Sequence, residues 1–102
     1  QVDANTFEIK RKVPVALGRA HGLALDGDAI WCVFSNDFVI QKIALADGKV
    51  VDEIKLNKET DPDPHGMDMY KGQMYYCDAG IAPGPKFTDL PSSGYISKII
   101  RL

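Results

Sequence analysis

The sequence has no excess of positive charge. Twelve Lys and Arg against fourteen Asp and Glu leave a formal net charge of −2. That excludes the basic footprint of a nucleic-acid-binding domain. The one basic run, Lys10-Arg11-Lys12, reads as a solvated guard on an edge strand. No long apolar run exists. The longest, Ile30-Trp31-Cys32-Val33-Phe34, falls far short of the roughly 20 residues that a helix needs to span a bilayer, so no membrane partner is expected. No basic-then-apolar leader opens the chain. A start at Gln1 fits an exported protein whose signal has been removed, or a piece of a longer chain. Cysteine is scarce. Cys32 and Cys77 form neither a CxxC pair nor a zinc spacing. No nucleophile elbow, phosphate-binding glycine loop or dinucleotide fingerprint appears, and no segment keeps a helical period.

What is present is a repeated phrase. His21-Gly22-Leu23-Ala24-Leu25 returns 44 residues later as His65-Gly66-Met67-Asp68-Met69. Each copy runs into a turn and an aromatic strand, which carries Trp31 in the first and Tyr75 in the second. Ile40-Gln41-Lys42-Ile43 matches Ile96-Ser97-Lys98-Ile99 at an offset of 56. The extra 12 residues fall in a Pro- and Gly-rich insertion, residues 81–93. Glu8-Ile9-Lys10 matches Glu53-Ile54-Lys55 at an offset of 45. A period of about 40–50 residues made of short strands is the pattern of β-propeller blades.

The predicted strands are 6–13, 21–25, 29–34, 38–45, 50–56, 65–69, 73–78 and 94–102. Strand 29–34 is apolar on both faces, as expected of a strand sandwiched between sheets. Strand 50–56 alternates, as expected of an outer strand. Labelled A to D from the axis outward, the order is D-A-B-C-D-A-B-C. The chain is thus expected to be all-β, a single unit over 1–102 with blades at 21–56 and 65–102 and strand 6–13 as a displaced outer strand. Aligned at the repeat, the two cysteines are one step out of phase and point to opposite faces. Two buried free thiols are expected in preference to a disulfide.

A closed propeller needs about four to eight blades, so two cannot close one. In closed rings a displaced D strand completes a sheet whose other strands come from the far end of the chain. Strand 6–13 would complete the sheet of strand 94–102 in another copy. Self-association into a six-bladed homotrimer is expected. The alternative is that the chain is part of one longer propeller.

The run His21-Gly22-Leu23-Ala24-Leu25-Asp26-Gly27-Asp28-Ala29-Ile30-Trp31, then Val39-Ile40-Gln41-Lys42-Ile43, then Asp63-Pro64-His65-Gly66-Met67, resembles the six- and seven-bladed propellers. These include the gluconolactonase/regucalcin-like, strictosidine-synthase-like, streptogramin-lyase-like and NHL/YVTN-type proteins. The resemblance covers most of the chain, and it implies a divalent cation in the central channel.

In such a fold the D-to-A and B-to-C connections open on one rim. That rim collects His21, His65, Asn36, Asp37, Asp63, Asp78 and, in the insertion, Phe87. Loops on a rigid scaffold are where binding sites concentrate. His21 and His65 can ligate a metal, or simply bond backbone at each strand entrance. Asp68 and Asp78 stand where the first copy has Ala24 and Phe34, so they break the symmetry. Carboxylates of this kind suit calcium or magnesium, or can cap the following turn. The leading expectation is a propeller module that binds a small molecule or a divalent metal at the channel mouth. One alternative is a metal-dependent lactonase or lyase using Asp78, Asp68 and His65. The other is a protein-interaction scaffold.

Overall fold

The computed structural model describes residues 1–78 and 95–101. The described residues form an all-β protein of two antiparallel sheets. The first contains β1 (Ala20–Asp26), β2 (Ala29–Phe34), β3 (Val39–Ala44) and β4 (Val50–Lys55), in that order. The second contains β5 (Met67–Tyr70), β6 (Gln73–Cys77) and β7 (Ile96–Lys98).

Turn chemistry sets the hairpins. Lys71 and Gly72 both take positive φ, 49° and 73°. That is the backbone twist a two-residue hairpin loop needs. Gly27 supplies positive φ, 62°, between β1 and β2. The acid-rich Asp26-Gly27-Asp28 turn thus ends one strand and starts the next.

The registers of the two sheets correspond. Ala24 pairs with Trp31, and Trp31 with Lys42. In the second sheet Asp68 pairs with Tyr75, and Tyr75 with Lys98. Leu23 opposite Cys32 has its counterpart in Met67 opposite Tyr76. Val33 opposite Ile40 has its counterpart in Cys77 opposite Ile96.

The sheets pack face on. Ala24, Trp31, Val33 and Ile40 of the first meet Met74 and Tyr76 of the second, with Ile54, Met67, Met69 and Ile99 around them. Full burial of an aliphatic or aromatic side chain stabilises by roughly 1.5–3 kcal/mol. This layer is the larger source of cohesion. A second cluster, Cys32, Phe34, Val39 and Ile43, lies on the other face of the first sheet under Val13 and Leu17.

The inner strands β1 and β5 come together at glycine. A Cβ on Gly22 would collide with the backbone oxygen of His65 and stand 2.7 Å from the nitrogen of Met67. Only a residue without a side chain permits this approach.

Strand 6–13 is corrected. The segment instead folds back on residues 1–5, through a Val2–Ile9 bridge and a bond from Asp3 N–H to the Glu8 carbonyl at 2.9 Å. Phe7, at φ 60°, breaks the extended run. The reason is local: the left-handed backbone at Phe7 reverses the chain, so the segment's backbone groups close on residues 1–5. The predicted strand 94–102 is shorter, Ile96–Lys98. Both cysteines are free, but only Cys32 is buried and Cys77 is exposed. Cys32 packs in the cluster under Val13 and Leu17, whereas Cys77 lies on the outward face of the second sheet, which nothing described here covers. The insertion 81–93, with Phe87, lies outside the described residues.

Candidate functional site

The strand pairing brings the predicted rim residues among those described to one end of the two sheets. Ala20 pairs with Phe34, so the start of β1 lies beside the turn after β2. Leu56 N–H donates to the Phe38 carbonyl at 2.8 Å, bringing the end of β4 to the same turn. His65 N–H donates to the Cys77 carbonyl at 3.0 Å, so the entrance of β5 lies beside the exit of β6.

His21 and His65 meet. Their ring centroids are 4.3 Å apart and the planes are inclined by 59°. The glycine after each histidine makes this possible, because Gly22 lets β1 touch the backbone of β5. Burial lowers the His21 pKa below its ordinary 6.5, and the neighbouring His65 and Arg19 push it the same way. His21 is therefore mainly neutral at pH 7, with a lone pair available to a ligand.

Asp78 and Asp63 are coupled through backbone. Asp63 N–H donates to the Asp78 carboxylate at 3.2 Å. The Tyr76 hydroxyl donates to the Pro62 carbonyl at 3.3 Å, tying the link 57–64 down on β6. Burial raises the Tyr76 phenol to about 12, with smaller pushes from Asp61, Asp78 and Asp63 and an opposing bond to Ser97. Tyr76 is a neutral hydroxyl at any physiological pH.

The other predicted residues do not join these pairs. The Asn36 side-chain oxygen accepts a bond from Arg19 at 3.1 Å. Asp37 is exposed in the turn after β2. Asp68 is exposed on β5, opposite Tyr75, and its carboxylate accepts from Met69 N–H at 2.7 Å. Among the described residues, no group of three or more His, Cys, Asp and Glu could hold a metal ion. The His21–His65 pair offers two imidazoles, and the Asp63–Asp78 arrangement offers carboxylate oxygen, in separate places.

Two features escaped the sequence reading. Arg19, at φ 58°, belongs to the rim through Asn36. Its position in a Pro- and Gly-bearing link gave no signal. The second is a polar cluster around Trp31, whose indole N–H donates to Asp26 at 3.0 Å. Lys42 pairs with Asp26 at 2.8 Å and lies 5.6 Å from the Trp31 ring centroid. Arg101 lies 5.9 Å from the same centroid. Arg101 is distant in sequence from all three, so no local pattern could have pointed to it.

Comparison of the chain with family models, with curated proteins and with solved structures gives no match.

Proposed function

We propose that the chain is a two-blade β-propeller unit that binds a divalent cation or a small molecule at the rim where β1 and β5 begin. The reading is carried by one observation. His21 and His65, equivalent in the repeated phrase, stand with ring centroids 4.3 Å apart where two register-matched sheets meet. A pair of imidazoles suits a borderline transition ion such as zinc. The carboxylates of Asp63 and Asp78 are the oxygen donors nearest in chemistry to calcium or magnesium. Asp68, turned to the exposed side of β5, would belong to the second of these only through another blade. In this reading the ring is completed by further copies, three chains supplying six sheets.

The test is a titration with zinc, calcium and magnesium chlorides in turn, followed by NMR of the two histidine rings and the Asp63 and Asp78 amides. Saturable changes at His21 and His65 with zinc, lost in His65→Ala, support the rim as a cation site. Saturable changes at Asp63 and Asp78 with calcium or magnesium support its oxygen-ligand form. No saturable change with any of the three ions overturns the cation reading.

A further inference from the structure

We infer that two partly open faces of this chain are the halves of one interface, and that its partner is a second copy of the chain stacked head to tail. The inference rests on reading the two sheets as successive units of one repeat. Inside the chain, the inner face of the first sheet offers Ala24, Trp31, Val33 and Ile40 to the second. The strand registers place Asp68, Tyr75, Cys77 and Ile96 at the same positions of the second sheet. There they face outward, with Asp68, Cys77 and Ile96 exposed. The converse also holds. Met67, Met69, Met74 and Tyr76 form the receiving side inside the chain. Their counterparts on the first sheet, Leu23, Leu25, Ile30 and Cys32, face away from the second sheet. A stack formed once within the chain therefore leaves its two complementary halves at opposite ends. That is the condition for a heterologous interface, which closes into a ring when the rotation allows.

Each half keeps exposed apolar side chains, although Val13 and Leu17 already cover Cys32 on the first. Leu23 is 58% exposed and Leu25 67% on one, and Ile96 is 83% exposed on the other. Leu23 and Leu25 form one wall of an apolar cleft of about 600 Å³, with Val13 and Val15 of the N-terminal segment lining it too. That segment carries Glu8-Ile9-Lys10, the counterpart of Glu53-Ile54-Lys55 in β4. In the first sheet β4 lies beside β3, whereas β7 has no fourth strand beside it among the described residues. The second sheet of another copy, placed in the cleft, would cover Leu23 and Leu25 and bring its β7 to the segment that lacks a sheet.

Two charge substitutions test this, Leu25→Glu in the cleft and Ile96→Glu on the outer face. Both side chains are exposed, so each variant keeps the chain's own fold, checked by far-UV circular dichroism. Absolute mass is measured by sedimentation in the presence of a chelator, so cation binding at the rim plays no part in the result. The wild type is expected to rise with concentration from one chain mass to a closed multiple, three in the ring proposed above. Each variant alone stays at one chain mass. An equimolar mixture forms a pair containing one of each, because each variant retains the half that the other has lost. Maleimide labelling of Cys77 slows when the wild type assembles and stays fast in Ile96→Glu alone. A wild type that remains one chain at millimolar concentration overturns the inference. So do variants that keep the wild-type mass, or a mixture that forms no pair.

Discussion

Arg101 and Asp52, 49 residues apart in the sequence, meet in a two-pronged ion pair with contacts of 2.6 and 2.8 Å. Arg101 also donates to the Glu53 carbonyl at 3.3 Å. The pair links the chain after β7 to β4, so it clasps the second sheet to the outer strand of the first. Two parallel N–H···O bonds to one carboxylate are the geometry that makes an arginine pair directional.

This clasp gives acid sensitivity a definite sign. The Arg101 guanidinium, helped by the Glu53 N–H, holds the Asp52 carboxyl at about 2 against an ordinary 3.8. A depressed carboxylate contributes stability above its unfolded pKa and loses it as pH falls through the folded one. Stability should therefore decline between pH 4 and 2, roughly the interval those two values bracket. Urea midpoints measured across that range should fall less steeply in Asp52→Asn. An identical slope in the variant would remove the clasp from the account.

His21 gives a second, separate window. Its lowered pKa means that the folded chain resists the proton which the unfolded chain accepts. Its contribution is intact above the ordinary 6.5 and erodes as pH falls below it. NMR titration of the His21 ring should show a midpoint below 6.5, moving upward in His65→Gln. A midpoint indifferent to that substitution would mean that the ring pair does not couple electrostatically.

Gly22 is the tightest point between the sheets. Gly22→Ala places a methyl against His65 and Met67 backbone, which cannot yield as a flexible side chain can. The expected cost is at least the roughly 1–3 kcal/mol of overpacking a dense core. Gly18→Ala, whose Cβ would meet nothing within 4 Å, is the control and should be neutral or slightly stabilising. Chemical denaturation of the two variants side by side measures the difference. Equal stabilities would refute the close approach of β1 and β5.

Ile40 and Leu25 contrast buried and open leucine-sized positions. Ile40 is 0% exposed at the centre of the layer between the sheets, so Ile40→Ala should cost about 2–5 kcal/mol. Leu25 is 67% exposed, so Leu25→Ala in the dissociated chain should change stability by less than about 0.5 kcal/mol. Denaturation at low protein concentration isolates the single chain. A large loss at Leu25 under those conditions would mean that the cleft is already filled.

Much of the secondary structure was legible because short strands bounded by Asp-Gly and Lys-Gly turns leave little choice of period or face. Strand 29–34 coincides with β2, and the alternation Trp31, Val33 against Ile30, Cys32 separates the two faces as the clusters do. The rim was legible in part. His21 and His65 were placed together by the offset of their phrase, whereas Arg19 and Arg101 take their places through contacts with residues far along the chain. Strand 6–13 was misread for the opposite reason. Its sequence is strand-like, but a strand needs a partner edge, and among the described residues this segment bridges to residues 1–5.

By itself the sequence determined what local rules can determine: the all-β class, the turns, the face that each apolar residue prefers, and the two histidine-glycine phrases. The tertiary structure decided which faces were used and which were left open. Stacking the two sheets buries Ile40 and Val33, closes the Gly22 contact and draws the histidine rings together. It leaves Leu23, Leu25 and Ile96 exposed. Burial is a property of neighbours rather than of residues, so the same apolar side chain is core on one face of a sheet and surface on the other.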